Sequence, residues 1–289
     1  MLRTWFMRHV DVTLVRELLR VDGIDVNVAN EYGFTALHLT AKDGHVDVVR
    51  ALVEVDGIDV NIADREGFTA LHSAAQEGHV DVVRALLGVD GIDVNTVNMA
   101  GFTALSSAAG EGNTEVVKLL LGAPGVDVNN AKKNGLPALH FAALRGHVDV
   151  LTALLEVDGI GVNTVNMLGN TPLSFAAGTG NTAVVKLPLG APGLDVNIAN
   201  KNGYKALHSA AREGHVDVVK MLKAAGATRS QGWPRAQQPR QPRPSPAPRH
   251  PPPLRRKRPQ SLTRTCKCPT VVRKMPSTKP RYISQVNPP

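Results

Sequence analysis

The sequence lacks the features that hold secreted and membrane proteins together. Only two cysteines occur among 289 residues, Cys266 and Cys268, so no disulfide framework can stabilise the first 228 residues. No run approaches the roughly 18 apolar residues that a membrane helix requires. We therefore expect an intracellular protein, cytoplasmic or nuclear or both, that has no contact with a membrane.

Aromatic residues are also scarce. They make up 4% of the chain, although apolar residues make up 43%. A core so poor in Phe, Trp and Tyr must be built from Ala, Leu and Val, which suits small, closely packed helices.

Acidic residues are absent from one end of the chain. Residues 229–289 contain 15 Lys and Arg and no Asp or Glu, which leaves 18 basic and 25 acidic residues in 1–228. The net charge of +8 therefore combines a mildly acidic body with a strongly basic tail, and it describes neither part.

Residues 1–228, called the body below, contain an internal repeat of 34 residues. A glycine followed by a short apolar signature recurs at Gly33, Gly67, Gly101, Gly135, Gly169 and Gly203. A second signature, such as GHVDVVRAL from Gly44, follows in every copy, and a third ends in Asp-Val-Asn or a near variant. Regular self-similarity of this length is typical of repeat proteins whose units stack along one axis.

Physical chemistry assigns a structure to each part of the repeat. Residues 36–41 form a short helix with an apolar face, for which Thr35 can act as the N-cap and Gly44 as the left-handed terminator. Val46, Val49, Leu52 and Val53 recur at helical spacing and predict a second helix. Neither helix can bury its apolar face alone, so neighbouring copies must stack.

At these residues the sequence resembles the ankyrin-repeat family. The resemblance implies an all-α solenoid of stacked helix-turn-helix repeats with β-hairpin-like loops. Residues 1–30 are a degenerate half repeat with one helix near Val12–Arg20, and 31–228 are the ankyrin-repeat domain. Its six copies, called copies 1 to 6 below, span 31–64, 65–98, 99–132, 133–166, 167–200 and 201–228.

The copies are not identical. The proline of the family signature is present only at Pro172, and another proline, Pro188, lies inside the second helix of copy 5. The corresponding residue 68 positions earlier is Leu120. Because proline lacks an N–H and clashes with the preceding turn, copy 5 is predicted to be the least stable copy.

Histidines recur in phase with the repeat, as His38 and His45 do in copy 1. Paired with aspartates such as Asp47, they could suggest catalysis or metal binding, but residues two apart on a helix do not face each other. An active site also occurs once in a chain, and the resemblance implies that such histidines hydrogen-bond between neighbouring loops. We expect a protein that is not an enzyme, with no cofactor and no metal.

The resemblance also implies where a protein partner would bind. In such arrays the partner contacts the hairpin tips and the inner ends of the first helices on the concave surface. Carried over copy by copy, the tip positions are Glu31, Tyr32, Phe34, Arg65, Glu66, Phe68, Met99, Phe102, Lys133, Asn134, Leu136, Met167, Leu168, Asn170, Lys201, Asn202 and Tyr204. The helix-end positions are Lys42, Asp43, Gln76, Glu77, Glu111, Leu144, Arg145, Arg212 and Glu213.

Five of the tip positions form an apolar stripe with 34-residue spacing or its multiple: Phe34, Phe68, Phe102, Leu136 and Tyr204. Two interpretations remain open from the sequence. The stripe is either an interface for a partner or a set of side chains that cover the hairpins.

The tail from residue 229 to 289 holds 15 of the 20 prolines and few apolar residues, so we predict that it is disordered. Its basic cluster Arg255, Arg256, Lys257 and Arg258 resembles a nuclear-import signal, or it is simply a solvated charged stretch. The tail also contains two minimal PxxP segments, Pro239 to Pro242 and Pro248 to Pro251, but neither has a basic residue at the flanking position that SH3 ligands favour.

Two functions follow from the sequence. The first is a non-enzymatic scaffold or adaptor, with a monomeric body, that binds another protein on the concave surface. The second is a nuclear or nucleic-acid-associated regulator whose tail binds nucleic acid without sequence preference or binds an importin.

Overall fold

The computed structural model describes residues 11–21, 23–130 and 136–228. The described residues belong to one compact unit and contain thirteen helices and no strand. The predictions for the tail concern residues outside the described part of the chain.

After α1 (Val12–Leu19), each copy contributes one first helix and one second helix. The first helices are α2 (Ala36–Asp43), α4 (Ala70–Glu77), α6 (Ala104–Glu111), α8 (Ala138–Arg145), α10 (Pro172–Thr179) and α12 (Ala206–Arg212). The second helices are α3 (Val46–Val53), α5 (Val80–Leu87), α7 (Thr114–Leu121), α9 (Val148–Leu155), α11 (Thr182–Leu189) and α13 (Val216–Ala224).

The helix boundaries have the causes that the sequence suggested. Thr35 lies in extended conformation before α2, and its hydroxyl accepts a hydrogen bond from the His38 N–H. Gly44 ends the helix at φ 77°, in the left-handed region that glycine adopts without steric cost. Thr69, Thr103 and Thr171 cap later first helices in the same way.

The helices stack in two parallel rows. Each first helix contacts the first helix of the next copy, and each second helix contacts the next second helix. Paired alanines such as Ala74 and Ala75 are fully buried between first helices, where their small side chains allow close approach. Because most of these helices have only eight residues, they would be marginal in isolation, and stacking supplies their stability.

The loops between copies form hairpin-like turns. In the loop before α4, the Asp64 N–H donates to the Phe68 carbonyl oxygen at 2.8 Å, and the Asp64 side chain accepts from the Glu66 and Phe68 N–H groups. The Arg65 N–H also donates to the Tyr32 carbonyl oxygen of the previous loop at 3.1 Å. Backbone hydrogen bonds thus join successive turns, although the backbone of these described turns is not regular enough to count as a strand.

Asparagine side chains connect the copies at the opposite end of the loops. Asn95 donates from Nδ2 to the Gly125 carbonyl oxygen at 2.7 Å, and its Oδ1 accepts the Asp127 N–H at 2.8 Å. The same two-bond arrangement recurs at Asn27, Asn61, Asn129, Asn163 and Asn197. These amides fix the register between each copy and the next.

Two departures from the repeat have local structural effects. Pro188 is accommodated within α11 and is buried there, but it has no N–H to donate to the Val184 carbonyl. At the start of the array, α1 has no fully buried side chain: Val12, Val15 and Leu19 pack partly against the core, and Leu14 and Leu18 are exposed. No helix in the described ranges is both long and apolar enough to span a membrane.

Candidate functional site

The hairpin tips and the first helices together form what we call the inner surface, and the second helices form the outer surface. Most tip and helix-end residues predicted from the sequence are exposed on the inner surface. They are Glu31, Tyr32, Lys42, Asp43, Arg65, Glu66, Glu77, Met99, Glu111, Leu144, Arg145, Met167, Leu168, Lys201, Asn202, Tyr204, Arg212 and Glu213. Six others are half-buried: Phe34, Phe68, Gln76, Phe102, Leu136 and Asn170.

The remaining predicted site residues lie outside the described residues. They are Lys133 and Asn134 at the tip of copy 4, and the basic cluster Arg255, Arg256, Lys257 and Arg258.

The apolar stripe is neither fully exposed nor part of the core. The Phe34 ring packs edge-on against His38 of its own helix, with 6.0 Å between ring centroids, and Phe68 packs against His72 at 5.8 Å. Phe102 instead contacts Phe141 of the next copy at 4.8 Å. These rings therefore contribute to hairpin packing, and their half-buried state leaves part of each available to a partner.

The buried histidines at the start of the first helices join neighbouring loops, as the resemblance implied. His38 donates from Nε2 to the Phe68 carbonyl oxygen at 2.9 Å, and His72 donates to the Phe102 oxygen at 3.0 Å. At its other ring nitrogen, His38 accepts the Thr35 N–H. Burial lowers the pKa of both imidazoles, so the neutral form with the proton on Nε2 is the one that these bonds require.

His140 occupies the same place in copy 4, but Pro137 replaces the capping threonine. Proline has neither an N–H nor a hydroxyl, so Nδ1 of His140 has no hydrogen-bond partner, while Nε2 donates to the Asn170 oxygen at 3.2 Å. Burial lowers the pKa of His140 to about 4.

A second set of histidines links copies 2, 4 and 6 to the copy that precedes each of them. His79, His147 and His215 donate from Nε2 to the carbonyl oxygens of Lys42, Gly110 and Gly178, at distances of 2.9 to 3.0 Å. Within the described ranges, no three His, Cys, Asp or Glu side chains are grouped as metal ligands. These three histidines, like His38 and His72, therefore have structural partners.

One groove is prominent on the inner surface. It has a volume of about 570 Å³ and lies between the ends of α8, α10 and α12 and the tips of copies 5 and 6. Seven of the predicted partner-binding residues line it: Leu144, Leu168, Asn170, Asn202, Tyr204, Arg212 and Glu213. Sequence reasoning missed Phe175 and Gly178, which lie on α10 and also line the groove.

Comparison with known proteins agrees with this architecture. A family model described as ankyrin repeats, in three copies, matches residues 6–98, 91–166 and 157–230. Because these matches cover most of the sequence, the chain belongs to the ankyrin-repeat family. Ankyrin repeats are general protein-interaction modules, and the fold is typically non-enzymatic.

Two solved structures show the same fold. The ankyrin-repeat protein EF0377 is 28% identical with a TM-score of 0.58, over 68% of this chain and 98% of that one. The ankyrin-repeat domain of Bcl-3, described as a unique member of the IkappaB protein family, is 28% identical with a TM-score of 0.63. That alignment covers 73% of this chain and 93% of the other. No curated protein matches this chain significantly in sequence.

Proposed function

We propose that this protein is a scaffold or adaptor that binds another protein on its inner surface. The observation that carries the proposal is the distribution of exposed apolar side chains. In copies 1 to 5, the large apolar residues that the structure exposes all lie on hairpin loops or first helices: Tyr32, Leu39, Met99, Leu144, Val165, Met167 and Leu168.

The outer surface has the opposite character. No large apolar residue is exposed on α3, α5, α7, α9 or α11. These helices instead expose charged side chains, several of which pair along the helix, as Lys118 does with Glu115 at 2.8 Å. Charged, internally paired surfaces suit contact with water, whereas aligned apolar side chains favour burial against a partner.

The proposal is tested by capturing partners with the full chain and with two matched variants. The inner variant replaces Met99 and Leu168, which are 66% and 62% exposed, with Ser. The control replaces Val216, an exposed apolar residue on the outer helix α13, with Ser. We expect the inner variant to lose the captured proteins and the control to retain them, with equal helical circular dichroism. Equal capture by both variants would refute the proposal.

The second function predicted from the sequence, nuclear import or binding of nucleic acid by the tail, is supported by its 15 uncompensated basic residues. In the full chain, Arg255, Arg256, Lys257 and Arg258 are replaced with Ala. A loss of nuclear accumulation supports import through this cluster. A loss of duplex DNA binding that is steep in salt concentration supports the contact with nucleic acid.

A further inference from the structure

The inner surface changes character along the array. In copies 1 and 2, the helix-end positions carry Lys42, Asp43, Gln76 and Glu77. Between Asp158 and Lys186 no charged residue occurs, and this stretch contains the tip of copy 5 and the whole of α10. The inner surface of copy 5 is therefore uncharged.

The groove lies on this uncharged part. Leu168 is 62% exposed, Leu144 is 41% exposed and Tyr204 is 36% exposed, and the half-buried Phe175 lines the groove with them. The charged residues of the lining are Arg212 and Glu213, which pair with each other at 2.9 Å. Amides, hydroxyls and the buried His208 complete the polar part of the lining, with Asn202 and Ser209 among them.

A glycine keeps the groove open. At the same position of their first helices, copies 1, 2 and 6 carry the long polar side chains of Lys42, Gln76 and Arg212, and copy 4 carries Leu144. Copies 3 and 5 carry glycine, but a Cβ atom added to Gly110 would lie 3.5 Å from the Phe141 ring. A Cβ atom added to Gly178 would meet no atom within 4 Å, so the space above this residue is empty of protein. The groove therefore depends on Gly178 and on the absence of a large side chain in the space beside it.

We propose that this groove, on copies 4 to 6, binds an uncharged, apolar segment of the partner protein, and the inference rests on the proposed function. Apolar side chains of the segment pack on Phe175, Leu144 and Leu168, while its main-chain groups meet the amides and hydroxyls of the lining. A charged side chain would find no net counter-charge in this lining, because its charged residues are one exposed pair of opposite sign, Arg212 and Glu213. The groove thus selects against charged segments.

The test uses peptides of about 12 residues, long enough to span two copies when extended, displayed on phage with random sequence and selected on the full chain. Each selected peptide is then measured by fluorescence anisotropy against the wild type and two variants. Gly178→Leu fills the groove with a side chain for which there is room. Ala183→Leu introduces the same side chain at an exposed position of α11, on the outer surface of the same copy.

We expect the selected peptides to be uncharged and to contain two or more large apolar residues. Their affinity should fall by about tenfold or more in Gly178→Leu and stay unchanged in Ala183→Leu, as expected when an anchoring side chain is displaced. Leucine is a better helix former than glycine, so Gly178→Leu should fold, which circular dichroism verifies.

Three results would overturn the inference: selection of peptides rich in charge, equal affinity for Gly178→Leu and the wild type, or no selected peptide. The last two results can be distinguished from a failure of the proposed function itself. If Met99 and Leu168 substitutions abolish capture of protein partners while Gly178→Leu has no effect on peptides, the inner surface binds partners and the groove is not the site of recognition.

Discussion

Replacing Pro137 with Thr should stabilise this protein, although proline usually rigidifies a chain. Pro137 is the N-cap of α8, with φ −59° and ψ 166°, and it provides no side-chain hydrogen bond. The threonines at the other N-caps have ψ between 163° and 171°, so threonine fits the backbone that is already present.

Three contributions decide the magnitude. A threonine N-cap contributes about 1 kcal/mol. Its N–H and hydroxyl would also reach Nδ1 of His140, as those of Thr35 reach His38 at 3.2 and 2.8 Å, and an unsatisfied buried polar group costs about 1–3 kcal/mol. The loss of proline's restriction of the unfolded chain opposes these gains by about 0.4–1 kcal/mol. The net stabilisation should be about 2 kcal/mol.

Thermal and urea unfolding of the full chain, followed by circular dichroism at 222 nm, measures the change. For a domain of this size, about 2 kcal/mol corresponds to a rise in melting temperature of roughly 4–8 °C. Pro172→Ala is the matched control, because Pro172 follows an intact Thr171 cap and tolerates its missing N–H. Repeating Pro137→Thr in a His140→Ala background should remove the part of the gain that comes from Nδ1. A melting temperature that is unchanged or lowered in Pro137→Thr would refute the reasoning.

Three further predictions test the scaffold. Pro188→Leu should raise the melting temperature, because it restores a helical hydrogen bond worth part of the roughly 3 kcal/mol that an internal proline costs. Amide exchange across 182–189 should also be slower than in the wild type, and an unchanged melting temperature would contradict the prediction. Asn95→Ala should lower the free energy of unfolding in urea by about 1–3 kcal/mol, because it removes two hydrogen bonds to the next copy. Asn202→Ala, at an exposed tip, should change stability little. Equal effects would contradict the role of Asn95 in fixing the register between copies. The contribution of neutral His140 to the free energy of unfolding should be complete above the unfolded pKa near 6.5 and should be lost as the pH falls toward about 4. In urea unfolding, His140→Gln should therefore lose less stability between pH 7 and pH 5 than the wild type does. Equal losses would show that His140 is not responsible.

Much of the fold follows from the sequence because the repeat supplies its own comparison. Six copies in phase identify Thr35 and Gly44 as the limits of α2 and place the tips on one surface. The spacing of Val46, Val49, Leu52 and Val53 predicted the second helix but only part of its buried face, because Val48 is also buried. A second helix packs against neighbours on both sides and against its own first helix, so its buried face is wider than a single stripe.

Other features were visible in the sequence but lacked meaning without coordinates. Pro137 stands where other copies carry Thr, yet its effect on His140 requires knowing that the threonine hydroxyl and N–H both reach the imidazole ring. The asparagine at the end of each copy reaches a carbonyl 30 residues later, a contact that only the stacked arrangement creates. Recognition of the groove depended on the coordinates, because it needed both Gly178 and the position of Phe175 relative to the tips of copies 5 and 6.

The central claim is that a protein partner binds the inner surface. Hydrogen–deuterium exchange of the full chain, alone and with its captured partner, tests this claim directly. We expect added protection in hairpin tips and first helices, strongest in 166–179 and 200–213, with the second helices α3, α5, α7 and α9 unchanged. Protection confined to those second helices, or none within the described residues, would contradict it.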